Sequence, residues 1–206
     1  MPYAFYFDSR FCSGCKACQV ACKDHNQLPV GVLWRRVYEI TGGSWQAQGA
    51  TWTQDVFAYH LSIACNHCAD PVCVSACPAA AITIRPDGIV LLHSDHCLGC
   101  RYCAWVCPYS APQFDEQAGV MTKCNFCVDN LDQALPPACT AACPMRALEF
   151  GELEDLAARH PEAVQLPPLP AAHLTQPALL ITPHPAAAQP DHPVTRLGNR
   201  EEVYQP

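Results

Sequence analysis

Sixteen cysteines in 206 residues fall into four groups of four, and their spacing leaves few ways to fold the chain. The third group runs Cys97-x2-Cys100-x2-Cys103-x3-Cys107-Pro108. The first is Cys12, Cys15, Cys18 and Cys22. The second is Cys65, Cys68, Cys73 and Cys77, followed by Pro78. The fourth is Cys124, Cys127, Cys139 and Cys143, followed by Pro144. The third spacing puts three thiolates in one tight loop, and the fourth is expected to open a short helix and reach a neighbouring centre. This is the run that binds an iron–sulfur cubane. No cysteine is left over. Four complete sets predict four [4Fe–4S] clusters and hence an electron-carrying chain.

Two other uses of cysteine are weaker. A disulfide framework joins distant segments and needs matched Cα separations and Cβ directions. Four cysteines within eleven residues would have to pair locally, group after group. Zinc sites also use Cys-x2-Cys pairs, and group four read alone fits one. Groups one and three do not, because a third cysteine follows after two residues. The proline after three of the groups matches the cluster-binding run.

Formal charge is −7 before any cluster is counted, and no basic stripe marks a nucleic-acid partner. Half the residues are apolar, but many of these are cysteine and alanine, so the organic core is modest. The clusters are expected to act as part of that core and the apoprotein to fold poorly. No stretch reaches the length of apolar residues that spans a membrane. Met1 to Arg10 lacks the layout of a signal peptide, and Arg35-Arg36 lies too far inside to be an export signal. A chain working outside the cytoplasm would travel folded with a signal-bearing partner.

Ala81–Ile84 and Ile89–Leu92 flank an Arg85-Pro86-Asp87-Gly88 turn and read as a hairpin between groups two and three. Val56 to Leu61 reads as the strand entering that unit. Groups one and four then belong together, with strand-like pieces at Leu33–Ile40 and Ala147–Phe150. Glu152 to Arg159 reads as a short amphipathic helix, Leu153 and Leu156 sharing a face. From Pro161 onward lie ten of the twenty prolines. Such a tail is not expected to form a regular core element. Its apolar pieces, Leu166, Leu169, Leu174 and Leu179–Ile181, point to a strap extended over a partner.

Several side chains border the groups. Lys16, Lys23, Arg101 and Lys123 stand beside cysteines, either as solvated charge or as compensation that raises a cluster's potential. His67 and His96 are expected to donate hydrogen bonds near a cluster rather than ligate iron. Trp45 and Trp52 flank a polar excursion, with core packing the better expectation than a cover for a cluster or a plug for a partner. No activated nucleophile or Ser/His/Asp set is evident, so no bond chemistry is expected from this chain.

The order of spacings, x2-x2-x3, x2-x4-x3, x2-x2-x3 and x2-x11-x3, resembles the iron–sulfur subunits of molybdopterin oxidoreductase complexes. Finer matches resemble the electron-transfer subunits of bacterial dimethyl sulfoxide reductases. They are Ser13–Cys18, Ala21–Asp24, Arg35–Glu39, Val56–Tyr59, Cys65–Cys68, Gly99–Cys103 and Met121–Cys124. The likeness runs from about Phe7 to Gly151 and more weakly through the tail.

The resemblance implies an α+β fold of two interleaved bacterial 2[4Fe–4S] ferredoxin-like units with a proline-rich extended C-terminal tail. Residues 1–55 and 115–155 would form the outer unit. Residues 56–114 would form the unit inserted in it, and 156–206 an extension contacting partner subunits. The implied ligation is crossed. One cluster takes Cys12, Cys15, Cys18 and Cys143; a second takes Cys124, Cys127, Cys139 and Cys22. A third takes Cys65, Cys68, Cys73 and Cys107; a fourth takes Cys97, Cys100, Cys103 and Cys77. The implied partners are a molybdopterin catalytic subunit and a quinol-oxidising integral membrane subunit. The implied location is peripheral on the cytoplasmic membrane, on the periplasmic face, by co-export with a partner bearing a twin-arginine signal. Nitrate reductase-like chains carry tryptophan where Cys100 stands, and formate dehydrogenase-like chains add a C-terminal membrane helix. Polysulfide and tetrathionate reductase subunits share the features of this chain, and a free polyferredoxin is the remaining alternative.

Overall fold

The computed structural model describes residues 1–164, 169–188 and 195–203. It is a mixed α/β structure of short elements hung between cysteine loops. Strand β1 (Tyr3–Asp8) enters the core, and α1 (Ala17–His25) carries Cys18 and Cys22. Next come β2 (Arg36–Gly42), the hairpin β3 (Trp45–Gln48) and β4 (Thr51–Gln54), and β5 (Phe57–Ile63). Helix α2 (Val72–Ser75) precedes the hairpin β6 (Ile82–Ile84) and β7 (Val90–Leu92). Helix α3 (Tyr102–Val106) precedes the hairpin β8 (Gln113–Asp115) and β9 (Val120–Thr122). Helices α4 (Val128–Leu131) and α5 (Ala138–Ala141) lead to β10 (Leu148–Glu152) and α6 (Leu153–Arg159). The C-terminal part adds β11 (Leu179–Thr182), β12 (Thr195–Leu197) and α7 (Arg200–Val203).

Two three-stranded sheets organise these pieces, in the orders β10-β1-β11 and β12-β2-β5. Strand β1 is buried on both faces, which its sequence YAFYFD matches better than it would a half-exposed edge. Phe5 stacks on Phe126 with ring centroids 4.1 Å apart, joining the first sheet to the loop of the fourth cysteine group. Strand β5 begins at Phe57 and pairs along its whole length with β2, so this ladder joins residues on the two sides of the 55/56 boundary expected between units. The hairpin expected between groups two and three is β6–β7, its turn closed by Gly88 at φ +79. Helix α6 buries Leu156 completely against β1.

Three expectations change. The fourth cysteine does not open a helix. Helices α2 and α5 hold the third cysteine of their groups, and Cys77 and Cys143 follow the helix end. Proline biases its preceding residue away from α-helical backbone, and Cys107, ahead of Pro108, is extended at φ −74, ψ 113. Trp45 and Trp52 are not core residues: both are about two-thirds exposed on the β3–β4 hairpin, whose eight strand positions all face solvent. Trp45, Ala47 and Trp52 share one face of the hairpin, and that face lies open to solvent.

The tail does enter regular structure. Strand β11 runs parallel to β1 from Leu179 opposite Phe5 to Thr182 opposite Asp8, and β12 pairs with β2. Pro177 and Pro183 bracket β11 without interrupting its ladder. Thr182 Oγ1 bonds the Tyr6 hydroxyl at 2.8 Å, and Ile181 is 1% exposed. Leu166, one of the apolar pieces expected in the strap, lies outside the described residues. Among the described residues no helix is long and apolar enough to cross a membrane.

Ile181→Asp should release β11 from β1, since a lone carboxylate in that apolar site costs several kcal/mol or forces the strand out. Limited proteolysis of the cluster-loaded chain should then cut within Leu179–Thr182, a segment that stays intact in the wild type. Equal resistance in both would mean that the β1–β11 contact does not hold the tail.

Candidate metal centres

The four cysteine loops share one backbone device. The residue before the second cysteine has positive φ in every group: Gly14 at 70, His67 at 43, Gly99 at 67 and Phe126 at 64. That left-handed residue folds the loop back so that amides face sulfur. The Gly99 and Phe126 amides donate to Cys97 Sγ and Cys124 Sγ, each at 3.4 Å. A second device follows three of the fourth cysteines. Ala80, Ser110 and Arg146 have φ near 50, and their amides donate to the carbonyls of Cys77, Cys107 and Cys143. Group one lacks the proline, and Cys22 sits inside α1 instead.

These loops gather the cysteines into sets that mix groups. Cys12, Cys15, Cys18 and Cys143 line one cavity. Cys65, Cys68, Cys73 and Cys107 line another. Cys22 lies in the electrostatic reach of Cys139 and Cys127, and Cys124 in that of Cys22 and Cys139. Cys103 is close to Cys97, Cys100 and Cys77. The sets form a row. Cys18 of the first neighbours Cys139 of the second, Cys124 of the second neighbours Cys65 of the third, and Cys73 of the third packs in one cluster with Cys103 of the fourth. The two exposed cysteines are Cys15 and Cys100, one at each end of the row.

Burial sets the electrostatics. It pushes the Cys12, Cys68 and Cys103 thiols up to about 11, and those of Cys22 and Cys73 up to about 12, with neighbouring thiols adding to the effect. Cys18, Cys107, Cys124 and Cys127 are raised by the same cause. Four thiolates therefore share such a cavity only when a cationic centre sits between them. Among the described residues no three His, Cys, Asp or Glu side chains converge tightly enough for a single ion.

The residues around the sets fit a sulfur-rich occupant in another way. Among the described residues, five buried side-chain nitrogens lack a protein acceptor: Arg35 Nε and Nη2, Arg36 Nε, Asn66 Nδ2 and His67 Nε2. An unmade bond of this kind costs about 1–3 kcal/mol. Five would cost as much as a typical domain's whole stability, about 5–15 kcal/mol. Cluster and cysteine sulfurs are acceptors that would satisfy them. Burial, with the charges of Lys123 and Arg35, holds His67 well below the usual imidazole range, so it is neutral. Its Nδ1 accepts the Val90 amide at 3.1 Å, leaving the proton on Nε2.

Of the basic residues flanking the groups, Lys123 is buried and donates to the carbonyls of Val90 and Cys124. Lys16 pairs with Glu202 of α7 at 2.5 Å, Lys23 caps the carbonyls of Pro29 and Val32, and Arg101 pairs with exposed Glu116. These three serve the fold or the surface. His96 is exposed and remote from the role expected of it. Sequence reasoning missed Arg35. Its only signal is a pair of arginines opening an apolar strand, a place where charge needs a reason. It also missed Thr175, which lines the third cavity and hydrogen-bonds Cys68.

The profile of the 4Fe-4S dicluster domain family matches residues 56–153. An anaerobic dimethyl sulfoxide reductase chain of Escherichia coli (strain K12) is 45% identical over 201 residues, covering 98% of each sequence. The corresponding chain of Haemophilus influenzae is 45% identical over 202 residues at the same coverage. A tetrathionate reductase subunit of Salmonella typhimurium is 38% identical over 153 residues, 74% of this chain and 59% of its own.

Gly99→Ala should damage one centre and spare three. Its Cβ would lie 2.5 Å from the Gly119 carbonyl oxygen, a backbone atom, at φ +67. One EPR component should be lost or altered, with iron falling by at most about a quarter. Gly49→Ala, also left-handed but with open space around it, should keep all components. Four unchanged components in Gly99→Ala would show that this loop holds no cluster.

Proposed function

We infer the function from membership: this chain belongs to the family of iron–sulfur chains of anaerobic dimethyl sulfoxide reductases. It is a non-catalytic electron-transfer subunit carrying 4Fe-4S clusters. We propose that the clusters number four, and that they are ligated in crossed fashion. The sets are Cys12/15/18/143, Cys124/127/139/22, Cys65/68/73/107 and Cys97/100/103/77. We propose further that two ferredoxin-like units are interleaved, 56–114 inserted between 1–55 and 115–155. What the clusters supply when bound is one-electron storage at four points. The protein supplies their order, the amides and buried cations around them, and the exclusion of water.

The observation that carries this reading is the row of cysteine sets with an exposed cysteine at each end. A row buried in the middle and open at both ends suits a conductor between two partners. Apolar surface surrounds both openings. Leu98 and Trp105 are about three-quarters exposed near Cys100, and Phe11 and Val20 are more than half exposed near Cys15. In this reading a quinol-oxidising membrane subunit supplies electrons at the Cys100 end. A molybdopterin catalytic subunit that reduces dimethyl sulfoxide or a related S- or N-oxide takes them at the Cys15 end. The complex is peripheral on the cytoplasmic membrane, on the periplasmic face. The same role in a tetrathionate reductase is the nearest alternative, favoured by the 38% identity to a subunit of that enzyme. A free shuttle is disfavoured by the full-length likeness to the reductase chains. The tail no longer bears on it, because the described part of the tail packs on its own chain.

Cys22→Ser and Cys124→Ser should perturb the same component in an EPR-monitored redox titration. If Cys22→Ser instead shares its component with Cys12→Ser, ligation is local and the interleaving falls with it. The wire is tested at its far end. Cys100→Ser should slow quinol-linked reduction at least tenfold, about 1.4 kcal/mol, while reduction by a dye that bypasses this end continues. Loss of both activities together, or of neither, would remove Cys100 from the path.

A further inference from the structure

Arg35 is 2% exposed and stands just before β2, deep between the first and second cysteine sets. Its Nη1 donates to the backbone oxygen and to Oγ of Ser62, both at 3.2 Å. Its guanidinium carbon lies 4.7 Å from the centre of the Phe5 ring. These contacts fix the plane of the group, but they leave Nε and Nη2 without a partner. The anionic groups that face it are sulfurs. Cys139, Cys124 and Cys22 belong to the second set and Cys18 to the first. Ser62 Oγ also lies 3.3 Å from Cys18 Sγ, so one hydroxyl ties the guanidinium to the first set. Lys123 differs, since its buried ammonium already donates to two carbonyls and acts on the sets by charge alone.

We propose that Arg35 is a positioning cation shared by the first two clusters, donating Nε–H and Nη2–H to their sulfurs and favouring the reduced form of both. This role rests on the ligand sets proposed for those clusters, and on charge and geometry. Each cluster gains an electron on reduction, and a guanidinium remains charged at any working pH. A fixed positive group beside two centres stabilises the added electron on each, and hydrogen bonds to sulfur act in the same direction. A planar fork of donors serves two centres at once, which an ammonium on a flexible stem does not. Arg35 thereby favours electron storage in the half of the row nearer Cys15.

The test is an EPR-monitored redox titration of the intact membrane complex, with iron and sulfide analysis. Arg35→Gln should keep the wild-type iron content. The two components altered by Cys12→Ser and Cys124→Ser should move to more negative potentials. Each shift should correspond to at least a tenfold change in the one-electron equilibrium, about 59 mV. The components of the third and fourth sets should stay where they are. Unmoved outer components, or a uniform shift of all four, overturns the proposal. If Arg35→Gln loses iron, Arg35→Lys decides. It keeps the charge without the fork and should move the same two components by a smaller amount, and outer potentials unchanged in that variant overturn the proposal as well. Failure of the ligand sets has a separate signature. Cys22→Ser and Cys124→Ser would then alter different components with Arg35 intact, and the shared role would fall with them.

Discussion

Buried thiols resist ionisation, and this protein buries or half-buries fourteen of its sixteen. Everything else follows from offsetting that cost. A cationic centre in each set restores the thiolates, so binding of clusters and folding are one process. The organic core is then free to be small. It consists of two three-stranded sheets, a few short helices, and hairpins of three or four residues a side. Elements this short are marginal alone. The β6–β7 and β8–β9 hairpins each run between two cysteine groups, whose loops a metal centre would fix.

The loops show how little sequence such a centre needs. Three residue types, at Gly14, His67, Gly99 and Phe126, take the same left-handed conformation before the second cysteine. Glycine accepts it freely, and a histidine or phenylalanine pays strain. In those two loops the side chain has a second task. Phe126 is fully buried, stacking on Phe5 of β1, and His67 packs edge-on against Phe126 at 5.1 Å. The bulky loops therefore lie at the centre of the molecule, where the second and third sets meet at Cys124 and Cys65. The glycine loops lie at its two ends, around exposed Cys15 and Cys100.

This division explains what could be read in advance. The grouping of the cysteines is a local property, and their spacings carry it; the β6–β7 hairpin is equally local, written in Pro86-Asp87-Gly88. The places where reading failed depend on long-range partners. Strand β11 has a short apolar run with proline at each flank, which by itself reads as a strap. It becomes a strand because β1 offers an open edge and Tyr6 a hydroxyl for Thr182. Trp45 and Trp52 carry the residue type of a core but sit on a hairpin with nothing opposite it. Arg35 gave no sign in the sequence of the sulfurs it faces, Cys18 and Cys139, which are far away along the chain.

The exception in group one shows how the units depend on each other. Without a proline after Cys22 the helix continues to His25, and its last turn is held by Lys23 on the carbonyls of Pro29 and Val32 and by Asn26 on that of Cys22. Cys22 is thus presented from the middle of a nine-residue helix, which packs against α5 carrying Cys139. The other three fourth-position cysteines stand beyond their helices, ahead of tight turns, and can adjust by a small backbone rotation. A helix cannot. The position of Cys22 relative to Cys139 and Cys127 is therefore set by helix packing between the two ends of the chain, about a hundred residues apart in sequence. The first and second sets both have to wait for the chain's N- and C-terminal halves to meet, and Arg35 and Phe126 converge on that same junction.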